Sequence, residues 1–191
     1  MALPVGAGRQ PDPHTSVWTF ENYKGAGFGR GAVLCADDRI VRVWLPKHGA
    51  PTYPDDLLLD RLRIDQVLKG GGMAAEAAAL FQKLFLEGAH LDSLKVSYDG
   101  FPPFTSAVLR TCRSIPHGHT MSYRQLAKEA GSPLATRAVG NVMARNPVPL
   151  VVPCHRVIRS HGDLGNYGGG IEMKRWLLER EGFRLDPPPS A

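Results

Sequence analysis

The amino-acid sequence predicts an α/β (α+β) protein in two parts, a small amino-terminal sheet-and-helix domain followed by a mainly helical carboxy-terminal domain. Three observations predict it: two β-rich runs around Asp37-Asp38, an Ala-rich helical stripe over 73–87, and two short amphipathic helices joined through Gly131. With 191 residues, 43% of them hydrophobic and 21% charged, the chain is long enough to bury the core of one or two small domains. This composition excludes a disordered or collagen-like chain.

The elements follow in chain order. Residues 1–14 are rich in Gly and Pro and read as a flexible arm, and DPPPSA makes 185–191 a flexible tail. GAVLCA and RIVRVWL flank the turn-forming pair Asp37-Asp38, which predicts an antiparallel hairpin with Val33, Cys35, Val41 and Val43 packed inward. Cys35 is then a small core hydrophobe. From Met73 to Glu87, the residues Ala77, Leu80, Phe81, Leu84 and Phe85 share one helical stripe, and Gly88 stands at the cap position. Pro and Gly punctuation from Tyr98 to Pro103 marks a connection between domains over 15–98 and 99–184.

The second domain opens with Phe104, Val108, Leu109, Cys112 and Ile115 at helical spacing, which makes Cys112 a structural thiol on an apolar face. Ser122 and Gln125 have capping-box spacing, so Tyr123 to Ala130 forms a short helix with Tyr123 in its first turn. After a turn at Gly131, Ser132 suits a cap and Pro133 the first position of a second helix running to about Arg145. Its buried stripe is Ala138, Val139, Val142 and Met143. Two short helices joined by a glycine-containing turn make a helix-turn-helix. Off the stripe stand Thr136, Arg137, Gly140, Asn141 and Ala144. A mid-helix Gly costs roughly 0.5–1 kcal/mol against Ala, so Gly140 points to close approach of another backbone. That backbone is either a neighbouring helix or DNA, and the basic bias of this half favours DNA.

After Asn146 comes PVPLVV and then Pro153-Cys154-His155-Arg156-Val157-Ile158. The prolines exclude a helix and disfavour a central strand, so a stiff, buried, extended segment presents Cys154 at a fixed place. His155 and Arg156 beside it are the ingredients of a depressed thiol pKa, the alternative being a core Cys next to a surface His. GDLGNYGGG, with five glycines in nine residues and one aromatic, Tyr167, can bring backbone N–H groups close to a planar ligand or serve as a linker. The Walker lysine and its spacing are absent, which argues against a nucleoside triphosphate. A helix over Ile171 to Glu181 is amphipathic through Met173, Trp176 and Leu177 and stops at Gly182. Glu181 sits at the wrong end of the helix dipole for a carboxylate, which invites a cationic or imidazole partner; the alternative is a solvated Glu.

No apolar run approaches the roughly 20 residues of a membrane helix, and MALPVGAGRQPDPH lacks the charged end and apolar stretch of a signal peptide. No membrane association and a cytoplasmic location are expected. Three cysteines cannot form a disulfide framework, and no C-x-x-C pair starts a zinc site. The net charge of +5 is uneven: residues 1–99 hold 11 Lys+Arg against 12 Asp+Glu, net −1, and residues 100–191 hold 12 against 6, net +6. That is the balance of a nucleic-acid-facing half, or of a basic surface that serves solubility.

From Phe104 to Gly182, the segments IPHGHTMSYRQLA, RAVGNVMARNP, VPCHRVI, GNYGGG and KRWLLEREG stand in an order and spacing that resemble the O6-alkylguanine-DNA alkyltransferase family. The amino-terminal half matches only in outline. The resemblance implies an RNase H-like first domain and a winged helix-turn-helix-like second one. It implies Cys154 as the nucleophile that accepts the alkyl group from guanine O6, His155 as its proton relay through a water, and Glu181 as the residue orienting the imidazole. Asn146 would hold the turn before the active-site segment. Tyr123 would press on the backbone phosphate and line the guanine pocket together with Val157, Tyr167 and Gly168, the last standing where family members often carry a serine. Arg137 would fill the hole left by the extruded base, with Thr136, Ala138, Gly140, Asn141 and Arg145 completing contact in the minor groove. The implied reaction is a single irreversible turnover on O6-alkylguanine, and on O4-alkylthymine, in double-stranded DNA, with no cofactor. Cys35 with His14, His48 and His90 is too thin a set for the structural zinc of some relatives. A monomer is expected, with cooperative assembly on DNA left open.

Two other classes compete. A non-catalytic alkyltransferase-like damage-binding protein is disfavoured by the presence of Cys154. A Cys-His hydrolase or a plain helix-turn-helix regulator leaves the joint occurrence of Tyr123, Arg137, Asn146, the Cys-His pair and Glu181 without a reason.

Overall fold

A computed structural model describes residues 16–48, 68–160 and 162–183. The expected arm at 1–14 and tail at 185–191 lie outside the described residues. The chain divides into two compact units, one holding the described residues up to Pro102 with Pro147–Val151, the other Pro103–Asn146 with the described residues from Val152 onward. A single cut at 98/99 treats each domain as one continuous stretch, whereas Pro147–Val151 clusters with the first unit. There the Val43 N–H donates to the Pro147 carbonyl at 2.9 Å.

In the first unit β1 (Trp18–Lys24), β2 (Arg30–Ala36) and β3 (Arg39–Lys47) form an antiparallel meander, and β4 (Leu68–Lys69) runs parallel to β1. The strand order is β3-β2-β1-β4. The hairpin turns at Asp37-Asp38 as expected, with Asp37 at φ 52°, a left-handed conformation that Asp tolerates. Of the four positions expected to pack, Val33, Cys35 and Val43 are buried and Val41 is half-buried, on the other side of the sheet. Cys35 pairs with Ile40 and Leu34 with Arg42, which leaves Val41 as an extra, bulged residue. The bulge turns Val41 onto the cluster of Trp18, Leu34 and Ala36 and puts Ile40 into the core in its place. Helix α1 (Gly72–Glu87) covers the opposite face through Phe81 and Phe85, whose rings lie 4.8 and 6.2 Å from that of Tyr23.

In the second unit α2 (Pro103–Arg113) starts on a proline, where a missing N–H costs nothing, and buries Val108, Leu109 and Cys112. Strand β5 (Met121–Ser122) pairs in parallel with β6 (Val157–Ile158). Helix α3 (Tyr123–Glu129) opens with a complete capping box: the Gln125 N–H donates to Ser122 Oγ at 3.1 Å, and the Ser122 N–H to Gln125 Oε1 at 2.8 Å. Helix α4 (Thr136–Ala144) starts three residues later than expected. The Ala135 N–H donates to the Ser132 carbonyl at 2.9 Å, so Ser132 opens a turn instead of capping a helix. Ser at the first and Pro at the second position suit that turn as well as they suit a cap. Within α4 only Val139 and Met143 are buried, while Ala138 and Val142 are half-buried. Helix α5 (Ile171–Arg180) turns Met173, Lys174, Leu177 and Leu178 inward, and Glu181 caps it.

Candidate active site

Just after α4, Asn146 Nδ2 donates to the Val152 carbonyl at 2.9 Å, which ties together the two ends flanking Pro147–Val151. Leu150 takes φ 72°, uncommon for a residue with a side chain. The Cys154 N–H then donates to Val152 O at 2.8 Å in a tight γ-type turn, and the Arg156 N–H to Pro153 O at 2.8 Å, with the Val157 N–H to Cys154 O, closes a 3-10 turn over Cys154–Arg156. The extended segment expected before Cys154 is therefore not formed: the chain bends at 147–148, turns at Leu150 and Val151, and enters the 3-10 turn at the cysteine itself. Pro147, Pro149 and Pro153 have no N–H to give a ladder, so local bonds replace one.

Cys154 is 7% exposed. Its thiol pKa is pushed up, not down: burial outweighs the Asn146 hydrogen bond and the Lys174 charge, which both favour the thiolate. This corrects the depressed pKa expected from the sequence, because the supposed activators turn to Glu181. His155 Nε2 lies 2.9 Å from Glu181 Oε1, and Arg156 grips the same carboxylate through Nε and Nη2, each at 2.9 Å. Arg156 Nη1 donates to the Ile115 carbonyl at 2.7 Å. Burial pushes Glu181 toward its neutral form, but the bonds from His155 and Arg156 prevail and hold its pKa at about 2. Burial takes the His155 pKa below its usual range against the pull of Glu181, so the ring is neutral at pH 7. An ionised carboxylate only accepts, so Nε2 carries the hydrogen and Nδ1 is an acceptor. Nδ1 is buried and bonds to none of the described residues.

The sequence reading missed Lys174. Fully buried, its ammonium donates to the Val157 carbonyl at 2.6 Å and the Leu164 carbonyl at 2.5 Å, tying β6 to the start of the Gly-rich loop. Burial brings its pKa down to about 8. The available signal was phase: Lys174 stands four residues before the buried Leu178, as Met173 stands four before Leu177.

A cleft of about 940 Å³ has Cys154 in its wall. Of the expected residues it brings together Tyr123, Thr136, Arg137, Gly140, Asn141, Tyr167 and Gly168, and it adds Arg124, Met143, Ala144, Arg159, Ser160, Gly165 and Asn166. His155, Glu181 and Asn146 do not line it and are connected to it through the turn of Cys154. Val157 is fully buried, Ala138 is half-buried and Arg145 is exposed, and none of the three lines the cleft. The ring of Tyr167 meets His155 edge-on with centroids 6.4 Å apart. Burial raises the Tyr123 pKa, so its hydroxyl stays protonated. A Cβ on Gly140 would touch nothing among the described residues, so no neighbouring helix requires a glycine there. Among the described residues, no group of three His, Cys, Asp or Glu is placed to hold a metal ion, and no helix is long and apolar enough to cross a membrane.

Residues 103–183 match the family model described as 6-O-methylguanine DNA methyltransferase, DNA binding domain. Over 86 residues the chain is 51% identical to human methylated-DNA–protein-cysteine methyltransferase, which covers 44% of this chain and 42% of that protein. It is 42% identical over 106 residues to the protein of that name from Methanothermobacter thermautotrophicus, covering 54% and 59%. The chain spans about half the length of the curated relatives it matches. Two solved structures are similar over most of the chain. Mycobacterium tuberculosis OGT in complex with DNA has a TM-score of 0.70 at 27% identity, covering 86% of this chain and 93% of that one. The O6-methylguanine-DNA methyltransferase of Pyrococcus kodakaraensis has a TM-score of 0.59 at 27% identity, covering 87% and 99%.

Proposed function

We propose that this chain, whose residues 103–183 match the 6-O-methylguanine DNA methyltransferase family model, repairs DNA by taking the alkyl group of O6-alkylguanine onto its own Cys154. The observation that carries this reading is a thiol in the wall of a roomy cleft, one residue from a buried His–Glu pair. Inside a stacked duplex the guanine O6 is out of reach of a buried sulfur, so the base must leave the stack. Arg137 on the cleft wall is the residue to fill the gap. Tyr123, Tyr167 and the backbone amide of Gly168 line the place of the extruded base. The open space at Gly140 and the small Ala144 let α4 approach a minor groove, with Thr136 and Asn141 beside them and the exposed Arg145 near a phosphate.

The sulfur displaces guanine O6 in line at the alkyl carbon. The S–C bond forms as the C–O6 bond breaks, and the guanine takes up a proton as it is restored. The thiol proton passes through a water to His155 Nδ1, whose acceptor state is set by the Nε2–H bond to Glu181. Burial keeps Cys154 a thiol at rest, and Asn146 with Lys174 eases the thiolate's formation. A thioether is not hydrolysed, so each molecule acts once. O4-alkylthymine presents the same alkyl–oxygen bond and belongs to the same proposal, for a monomer acting in the cytoplasm.

The test is intact mass and peptide mapping after mixing with excess duplex containing O6-methylguanine. The expected gain is one methyl group, stopping at one, on Cys154. Cys154→Ser should gain none while still binding the duplex. Wild-type protein that binds without gaining a methyl group would instead be a damage-binding protein.

A further inference from the structure

Arg159 is used neither by the sequence reading nor by the reaction above, yet it shares the cleft wall with Cys154 and Tyr123. A small scaffold holds it. Its N–H donates to the Asp163 carbonyl at 2.8 Å, its carbonyl accepts the Gly162 N–H at 3.1 Å, and Nη1 donates to Asp163 Oδ2 at 2.6 Å. Asp163 is fixed in turn by the Gly165 N–H, which donates to Oδ1 at 2.9 Å. A Cβ on Gly165 would stand 3.6 Å from Arg159 Cγ and Nε and 3.7 Å from Tyr123 Cε2, so the arginine stem and the tyrosine ring edge border the same glycine. Both members of the Arg159–Asp163 pair are more than half exposed, so Asp163 orients the guanidinium without cancelling its charge.

We propose that Arg159 binds a phosphate oxygen of the damaged strand, at a linkage next to the extruded nucleotide, and so forms a charged anchor beside Tyr123. The proposal rests on alkyl transfer from DNA as the function. An extruded nucleotide brings its own flanking phosphates to the mouth of the pocket that its base enters. The cleft wall offers those phosphates Arg124, Arg137 and Arg159 and, among the described residues, no carboxylate. A guanidinium presents a planar fork that matches phosphate oxygens, and Asp163 occupies only Nη1 of it.

The experiment compares wild type, Arg159→Ala and Arg159→Lys on three substrates. These are duplex O6-methylguanine DNA, the same duplex with neutral methylphosphonates at the linkages flanking the lesion, and free O6-benzylguanine. For Arg159→Ala the ratio of duplex to free-base rate should fall about tenfold, the worth of a hydrogen bond to a charged group. Its log–log salt dependence of duplex binding should be shallower by about 0.9, one phosphate contact. Arg159→Lys should recover the salt slope but only part of the rate. On the methylphosphonate duplex wild type and Arg159→Ala should react alike. Equal losses on duplex and free base would make Arg159 a structural residue, and a gap that persists on the methylphosphonate duplex would put its contact elsewhere; either overturns the proposal. Wild type that gains no methyl group overturns alkyl transfer itself, and the salt slope of binding then still decides whether Arg159 meets a phosphate.

Discussion

Glu181 is a carboxylate in two environments that oppose its charge, the carbonyl end of α5 and a buried site, and it is ionised nonetheless. The two residues directly after Cys154 reverse the balance. Its pKa of about 2 lies below the ordinary 4.5, so its stabilisation is complete above about pH 4.5 and is lost as pH falls from there toward 2. His155 acts with the same sign: burial lowers its pKa, so the unfolded chain binds the proton more readily and stability declines below pH 6.5. We expect Glu181→Gln to cost about 3 kcal/mol at pH 7, as breaking a buried pair does, and to flatten the acid limb between pH 4.5 and 2. Urea unfolding across pH 7 to 2 measures both, and an unaltered acid limb would count against this network as the source of acid sensitivity. The need of Glu181 for a partner could be read from its place in a helix. That Arg156 would take it together with His155 could not, since side-chain direction in a 3-10 turn is invisible to sequence spacing.

Among the elements, the two helices beside the cleft begin in opposite ways. Helix α3 carries a reciprocal cap that also sets Tyr123, its first residue, next to the cleft. Ser122→Ala should therefore lower stability by about 1 kcal/mol with an unchanged m-value, and Ser122→Asp should keep most of it. A shift of the urea midpoint too small to measure would mean that packing, not the cap, holds this end. Helix α4 has no side-chain cap and no acidic residue in its first turn, which leaves its positively polarised end beside Thr136 and Arg137 in the cleft wall. The capping box of α3 was legible because both partners lie within four residues. The start of α4 is not legible in the same way, because Ser-Pro serves a turn and a helix start equally well, and the turn leaves Leu134 99% exposed.

For the whole molecule, the +6 excess after residue 99 lies in the part of the chain that bears the cleft, and three arginines line that cleft. If duplex DNA is opened there, Arg137→Ala should slow transfer from a duplex about tenfold more than transfer from free O6-benzylguanine, because only the duplex requires extrusion. Equal slowing of both would remove Arg137 from that task. The class of fold, the hairpin at Asp37-Asp38, the positions of α1, α2, α3 and α5 to within a residue or two, and Cys154 as the candidate nucleophile are legible in the order of residues. Those follow from side-chain periodicity, turn chemistry and capping, which act between residues a few positions apart. Tertiary packing alone settles that a bulge moves Val41 to the second apolar cluster and puts Ile40 in the core, that Pro147–Val151 joins the first unit, that Lys174 is buried between two carbonyls, and that the Cys154 thiol is held protonated. These depend on burial and on partners far apart in the chain, as Glu181 is from Arg156 and His155 by 25 and 26 residues. Desolvation, which set the direction of the Cys154 and Lys174 shifts, is a property of the packed interior and has no counterpart in the order of residues along the chain.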